Sequence, residues 1–127
     1  MTKQINPVIY IVDDDTSVRR AMKRLIRSAN MYVHAFESAQ GFLEFKYRSY
    51  NACIIVDIKL QDKSGLELQE ELRSMGSDLP VIFITGFDSS ETRDQVKKSG
   101  AAGYFRKPID DLALLDSIQW ALAKLTN

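Results

Sequence analysis

The sequence predicts a doubly wound α/β domain: one five-stranded parallel sheet with five helices shared between its two faces. Two observations predict it. Five short apolar runs alternate with five segments of helical spacing, so the order is β-α five times over. Three of those runs are apolar without interruption, as strands covered on both faces by helices must be. The handedness of parallel crossovers then leaves an open sheet with helices on both sides. A length of 127 residues suits a single compact domain spanning 1–127, with 124–127 read as a tail or the start of a linker.

The strands are expected at Val8 to Val12, Tyr32 to Phe36, Ala52 to Val56, Pro80 to Thr85 and Gly103 to Arg106. Helix 1 follows from Val18, Met22, Leu25, Ile26 and Ala29, which recur at intervals of three and four. Helix 2 is expected over Ser38 to Lys46 around Phe42, Leu43 and Phe45, and helix 3 over Gly65 to Met75 around Leu66, Leu68 and Leu72, with Ser64 as its cap. Helix 4, from Ser90 to Ser99, has Val96 as its main anchor and stops at Gly100, a residue at ease in the left-handed conformation. Helix 5 runs from about Asp110 to Leu125, with acids in its first turn, where the helix dipole favours them. Its inner face is expected to hold Leu112, Leu115, Ile118, Leu122 and Leu125, which turns Trp120 outward.

Composition narrows the function. Apolar residues make up 45% of the chain and mean hydropathy is -0.21, enough for an ordinary core. Seventeen basic and seventeen acidic residues cancel, which removes the bulk electrostatic case for nucleic-acid or acidic-membrane binding. The single cysteine, Cys53, has no partner for an internal disulfide or a thiolate metal site and reads as a small buried hydrophobe. No apolar run approaches the roughly 18 residues a bilayer span requires, and Met1 to Pro7 lacks a secretory apolar segment, so a cytoplasmic location is expected.

Functional groups of an open parallel sheet collect at the carboxyl ends of its strands. Asp13, Asp14 and Asp15 follow the first run, Asp57 the third, Thr85 and Gly86 end or follow the fourth, and Lys107 and Pro108 follow the fifth. Carboxylates on adjacent strand ends repel and call for a cation. Without His or Cys the donor set favours a hard ion, and Mg²⁺ accepts one or two carboxylates while keeping several waters. Asp57 is then the natural nucleophile, because carboxylates accept phosphoryl groups covalently. Mg²⁺, the Lys107 ammonium and the Thr85 hydroxyl would answer the phosphoryl charge.

Those residues carry a resemblance. From Val8 through Leu125 the chain resembles a response-regulator receiver domain of bacterial two-component signalling, through Asp13-Asp14, Asp57 with Ser64-Gly65, Ile84-Thr85-Gly86 and Tyr104-Phe105-Arg106-Lys107-Pro108. The resemblance implies a flavodoxin-like strand order 2-1-3-4-5 and phosphorylation of Asp57 by a sensor histidine kinase or small phosphodonor. It implies Mg²⁺ held directly by Asp14, Asp57 and the Lys59 carbonyl, with Asp13 acting through metal-bound water. It implies Thr85 and Lys107 on the phosphoryl oxygens, a cis Lys107–Pro108 bond, and Thr85 and Tyr104 as a switch that alters the surface of helix 4, strand 5 and helix 5. Through that surface an output domain or a second copy would bind, with exposed Trp120 as an interface candidate. Such a domain is regulatory, catalyses only its own phosphorylation and dephosphorylation, and touches neither nucleic acid nor membrane.

Two residues depart from that pattern. Gln61 stands where most relatives carry proline, which predicts a looser loop after Asp57 and a less fixed Lys59 carbonyl for the metal. Phe87 adds bulk two residues after Thr85 and predicts slow loss of phosphate. Plainer structural readings also stand. Asp15 or Thr16 suits the cap of helix 1, Tyr104 reads equally as a half-buried strand aromatic, and His34 has no assigned role. Arg19, Arg20, Lys23, Arg24 and Arg27 read as a solvated outer face of helix 1, near which the family's phosphodonor docks and where these cations would tune donor choice. The competing reading is a haloacid-dehalogenase-like Mg²⁺-dependent phosphatase with Asp13 as nucleophile and Asp15 as acid/base, which strands Asp57. A phosphate-free binding module and a flavin carrier fit less well, since the acidic and basic set is complete and no Thr/Ser-rich phosphate loop follows strand 1.

Overall fold

The computed structural model describes residues 6–124. Its elements follow the predicted order: β1 (Val8–Val12), α1 (Thr16–Ser28), β2 (Tyr32–Phe36), α2 (Ala39–Glu44), β3 (Ala52–Asp57), α3 (Gly65–Ser74), β4 (Val81–Thr85), α4 (Ser90–Ser99), β5 (Gly103–Arg106) and α5 (Asp111–Lys124). The strands form one sheet in the order β2-β1-β3-β4-β5, every pair parallel, so the expected 2-1-3-4-5 arrangement is present. Among the described residues no helix is long and apolar enough to cross a membrane.

Strand alternation builds two cores from one sheet. Val8, Tyr10 and Val12 of β1, with Ile54 and Val56 of β3 and Phe83 of β4, pack toward Phe42 of α2, Leu68 and Leu72 of α3 and Val96 of α4. Ile9 and Ile11, with Cys53, Ile55, Ile82 and Ile84, face the opposite way onto Met22 and Ile26 of α1 and Leu114 and Ile118 of α5. Every residue of β1, β3 and β4 is buried, which is why those runs carry no polar alternation. β2 is an edge strand, and His34 lies exposed on it, its ring against Phe45 and Tyr10. Burial pushes the Cys53 thiol up to about 12, so it acts as an inert hydrophobe at neutral pH.

Local chemistry starts and stops the helices. Asp15, not Thr16, caps α1, its carboxylate accepting from Ser17 N at 2.8 Å and Val18 N at 3.3 Å. Ser64 and Glu67 form a reciprocal capping box at α3, an arrangement worth about 1 kcal/mol. Gly100 ends α4 at φ 75°.

One helix face differs from the expectation. On α5 Leu112 is 74% exposed, and the buried residues are Leu114, Ile118, Ala121 and Leu122. Leucines occur on more than one side of this helix, so hydrophobicity alone does not set its rotation about the axis; contact with β5 and the sheet does. Trp120 points away from that stripe, as expected, and is 53% exposed beneath the Lys124 ammonium. Leu125 and the last residues of the expected 124–127 tail lie outside the described residues.

Gly65 opens α3 against the end of β3, and a Cβ there would lie 2.6 Å from the Asp57 carbonyl oxygen and 3.0 Å from a Val56 methyl. The first is backbone and cannot swing aside. Gly65→Ala is expected to lower unfolding free energy by about 1–3 kcal/mol, measured by urea denaturation; a change within about 0.5 kcal/mol would mean that the β3–α3 junction yields freely.

Candidate functional site

The site forms where β1, β3, β4 and β5 end. At β1, Asp13 N donates to Phe36 O of β2 at 3.0 Å, which holds the acidic turn against the sheet. Asp13 is 0% exposed. Its Oδ1 accepts from Asp15 N at 2.8 Å, while Oδ2 pairs with the Lys107 ammonium at 2.8 Å. Asp57, the last residue of β3, accepts from Lys59 N on Oδ1 at 3.0 Å and from Lys107 Nζ on Oδ2 at 3.0 Å. Lys107 follows β5, two strands from β3, and its long stem lets the ammonium reach across the end of β4 to both carboxylates. Its backbone N donates to Thr85 O at 2.8 Å, and the Lys107–Pro108 bond is cis, as expected.

Burial pushes the Asp13 carboxyl up, more than the Lys107 ammonium and the Asp15 amide pull it down, and the Asp57 charge adds to the rise. For Lys107 burial acts downward, but hydrogen bonding and charge attraction from Asp13 and Asp57 outweigh it and hold the ammonium above its ordinary value. Asp13, Asp14 and Asp57 each bring a carboxylate oxygen within 4.8 Å of the others, and the Lys107 ammonium pairs with two of these three acids. An all-oxygen set in charge excess, with two of its three carboxylates buried, fits a hard divalent cation such as Mg²⁺.

The remaining expected site residues are nearby but differently engaged. The Thr85 side chain is buried and turned into its own loop: its Oγ1 accepts from Phe87 N at 3.0 Å and lies 3.2 Å from Phe87 O, to which the hydroxyl donates. Tyr104 is half-buried, and its hydroxyl donates to Asp88 Oδ1 at 2.7 Å while Arg93 donates to Asp88 Oδ2 at 2.6 Å. Burial and the Asp88 carboxylate push the Tyr104 hydroxyl up to about 12. Phe87 is 68% exposed with the Lys59 ammonium 4.4 Å from its ring centroid, so a residue from each of two loops meets beside the acids. Asp15 caps α1 through its Oδ1, which accepts from both Ser17 N and Val18 N.

Arg19 departs from the expected solvated face: its guanidinium turns inward and donates to the Asp13 carbonyl at 2.7 Å. The four remaining cations of that face, Arg20, Lys23, Arg24 and Arg27, line one shallow concavity. A separate apolar groove of about 500 Å³ runs between α1 and α5 beside Lys107, lined by Val18, Met22, Leu25, Pro108 and Ile109 among others. Asp88 was silent in the sequence as a site residue, since it makes its contact across sixteen positions. Gly65 belongs to a quoted motif, but its close approach to the Asp57 backbone shows only in three dimensions.

Comparisons agree with this geometry. Residues 9–119 match the response regulator receiver domain model. The response regulator protein TodT of Pseudomonas putida is 39% identical over 115 residues, 91% of this chain and 51% of the relative. The transcriptional regulatory protein TdiR of Thauera aromatica is 36% identical over 115 residues, with the same 91% and 51% coverage. The chain thus spans about half the length of these curated relatives. Among solved structures, the response regulator StyR superposes with a TM-score of 0.88 at 34% identity, over 96% of this chain and 62% of that one. FixJ-N superposes with a TM-score of 0.85 at 28% identity, over 96% and 98%.

The raised carboxyl of Asp13 has a measurable consequence. A folded-state value above the unfolded 3.8 means that ionised Asp13 opposes folding at neutral pH. Asp13→Asn is expected to raise the melting temperature of the metal-free protein by about 3–5 °C at pH 7. The gain should shrink as pH falls and vanish below 3.8, where Asp13 is protonated in both states. Calorimetry across that range checks it, and an equal gain at every pH would refute the assignment.

Proposed function

The chain belongs to the response regulator receiver domain family, and from that premise we propose that it takes a phosphoryl group onto Asp57. The carrying observation is the Lys107 ammonium held between Asp13 Oδ2 at 2.8 Å and Asp57 Oδ2 at 3.0 Å. A cation in that position balances two carboxylates at rest and is placed to meet phosphoryl oxygens afterwards.

In the proposed reaction an Asp57 oxygen attacks the phosphorus of a histidine kinase phosphoramidate or of a small phosphodonor. The new O–P bond forms as the old bond to phosphorus breaks, and the bonding pair leaves with the donor. Each Asp57 oxygen has one hydrogen-bond donor, so lone pairs remain for attack. Asp14, Asp57 and the Lys59 carbonyl would hold Mg²⁺, with Asp13 behind them through water. Bound there, the ion supplies charge neutralisation for the transferring group. Lys107 then moves its ammonium from Asp57 Oδ2 toward the phosphoryl oxygens. Thr85 gives up its bonds within the loop and donates its hydroxyl to the same group.

That exchange supplies the switch. Thr85 ends β4 and is bonded to Phe87 in the loop that carries Asp88, so drawing Thr85 toward Asp57 disturbs the Asp88 carboxylate that holds Tyr104. Release of Tyr104 alters the surface of α4, β5 and α5, through which an output domain or a second copy would bind, with Trp120 as an anchor on α5. The apolar groove beside Lys107 supports approach of the kinase along α1 and α5. The relatives' names support a role in two-component signalling and transcription regulation, with the receiver as the regulated part.

Incubation with acetyl phosphate and Mg²⁺, followed by borohydride trapping and peptide mapping, should place the label on Asp57, and Asp57→Asn should remove it. Label on Asp13 would instead support the phosphatase reading. The aromatic cover beside the acids gives a second expectation: Phe87→Ala should lose its phosphoryl group about 3- to 10-fold faster than wild type, an effect of about 1 kcal/mol on the barrier. An unchanged half-life in a phosphate-release assay would rule out screening by Phe87.

A further inference from the structure

Asp62 lies in the loop between Asp57 and α3, yet its carboxylate serves another element. Oδ1 accepts from Ala39 N at 3.3 Å and Oδ2 from Gln40 N at 2.9 Å, the first two amides of α2 and 22 to 23 positions distant in sequence. α2 has its own cap besides: Ser38 Oγ accepts from Gly41 N at 3.0 Å and Ser38 O accepts from Phe42 N at 3.3 Å. The helix is seated by buried Ala39 and Phe42, so it is the fixed partner and the loop is the held one. Burial would push the Asp62 carboxyl up, but the amides of Gln40, Ala39, Lys63 and Asp62 itself outweigh it and keep the group below the ordinary carboxylate range.

From Asp62 the hydrogen bonds lead back to the phosphoacceptor. An isolated antiparallel bridge joins Lys59 to Ser64, and Gly65 N donates to Ile58 O at 2.8 Å, closing the loop at its base. Within it, Lys59 N donates to Asp57 Oδ1 at 3.0 Å. Lys63 pairs with Glu71 of α3 on the other side. Gln61, at the exposed tip, has the backbone freedom that a proline ring would remove. The looser loop that Gln61 predicts is therefore tied down by long-range hydrogen bonds in place of a ring.

We infer that Asp62 is a positioning residue for the phosphoacceptor: by clamping the β3–α3 loop to the start of α2, it keeps the Lys59 amide on Asp57 and the carboxylate cluster set for its divalent cation. The consequence for the cation rests on the phosphoacceptor reading, whereas the clamp itself does not.

Two measurements on the intact chain separate these. In metal-free protein, amide hydrogen exchange at Lys59 and Gly65 should quicken roughly tenfold in Asp62→Ala, the loss of about one hydrogen bond's worth of protection. Titration with Mg²⁺ alone by calorimetry should show about 3- to 10-fold weaker binding in the same variant, with Asp62→Asn, which retains one acceptor oxygen, falling between. Ser38→Ala is the control, because it weakens the cap of α2 without touching the loop. It should leave both readouts within about twofold of wild type. The clamp is overturned if Asp62→Ala leaves exchange at Lys59 unchanged, or if Ser38→Ala reproduces its losses. A wild-type chain that binds no Mg²⁺ would strike the phosphoacceptor reading, while the exchange comparison still decides the clamp.

Discussion

The structure turns on one ammonium among three carboxylates. Parallel β1 and β3 end side by side, so Asp13 and Asp57 are forced together by topology, and Asp14 adds a third charge within reach. At a few ångström such charges repel by kilocalories unless water or a counter-ion intervenes, and Asp13 has no exposure to water. Lys107 answers part of the repulsion from two strands away. What it leaves unanswered is a net negative charge in an all-oxygen site, the condition under which a hard cation gains most. Removing the ammonium or crowding the strand ends would unsettle the same balance that gives the site its chemistry.

Around that balance the loops hold two groups in a resting arrangement. The Thr85 hydroxyl is satisfied within its own turn, and Tyr104 is bound to Asp88, whose second oxygen takes Arg93. Neither group is unpaired, so a change of state exchanges one complete hydrogen-bond set for another. Exchanges of that kind have two discrete ends, which is what a switching surface requires. The end of β4 and the loop that follows it contribute the two ends of the coupling, Thr85 and Asp88, three positions apart in the chain.

The scaffold beneath is stiffer than its parts suggest. Alternation along β1, β3 and β4 divides buried side chains between two cores, and each helix seats on one of them. Gly65 lets α3 come against the Asp57 backbone, and the capping box of Ser64 and Glu67 fixes where that helix starts. Asp62 ties the loop before α3 to the start of α2, a short helix seated in its core by buried Ala39 and Phe42. Overall neutrality, meanwhile, coexists with strong local fields: the acids lie at the strand ends, and Arg20, Lys23, Arg24 and Arg27 share one side of α1.

The sequence by itself determined the element order, the sheet and the site's composition, because these follow from short-range regularities. Continuous apolar runs declare doubly covered strands, and polar residues at their carboxyl ends declare where chemistry gathers. It was right about half-buried Tyr104 and about exposed Trp120. It left two candidates for the cap of α1, which geometry resolved as Asp15. It misplaced Leu112 because a helix apolar on several sides does not reveal its rotation. Only tertiary structure decided that Arg19 turns inward to Asp13, that Asp88 holds Tyr104, and that Asp62 takes the first two amides of α2. The latter two join residues 16 to 23 positions apart, and a hydrogen bond of that span leaves no periodicity in a chain; it exists only once the sheet has brought its ends together.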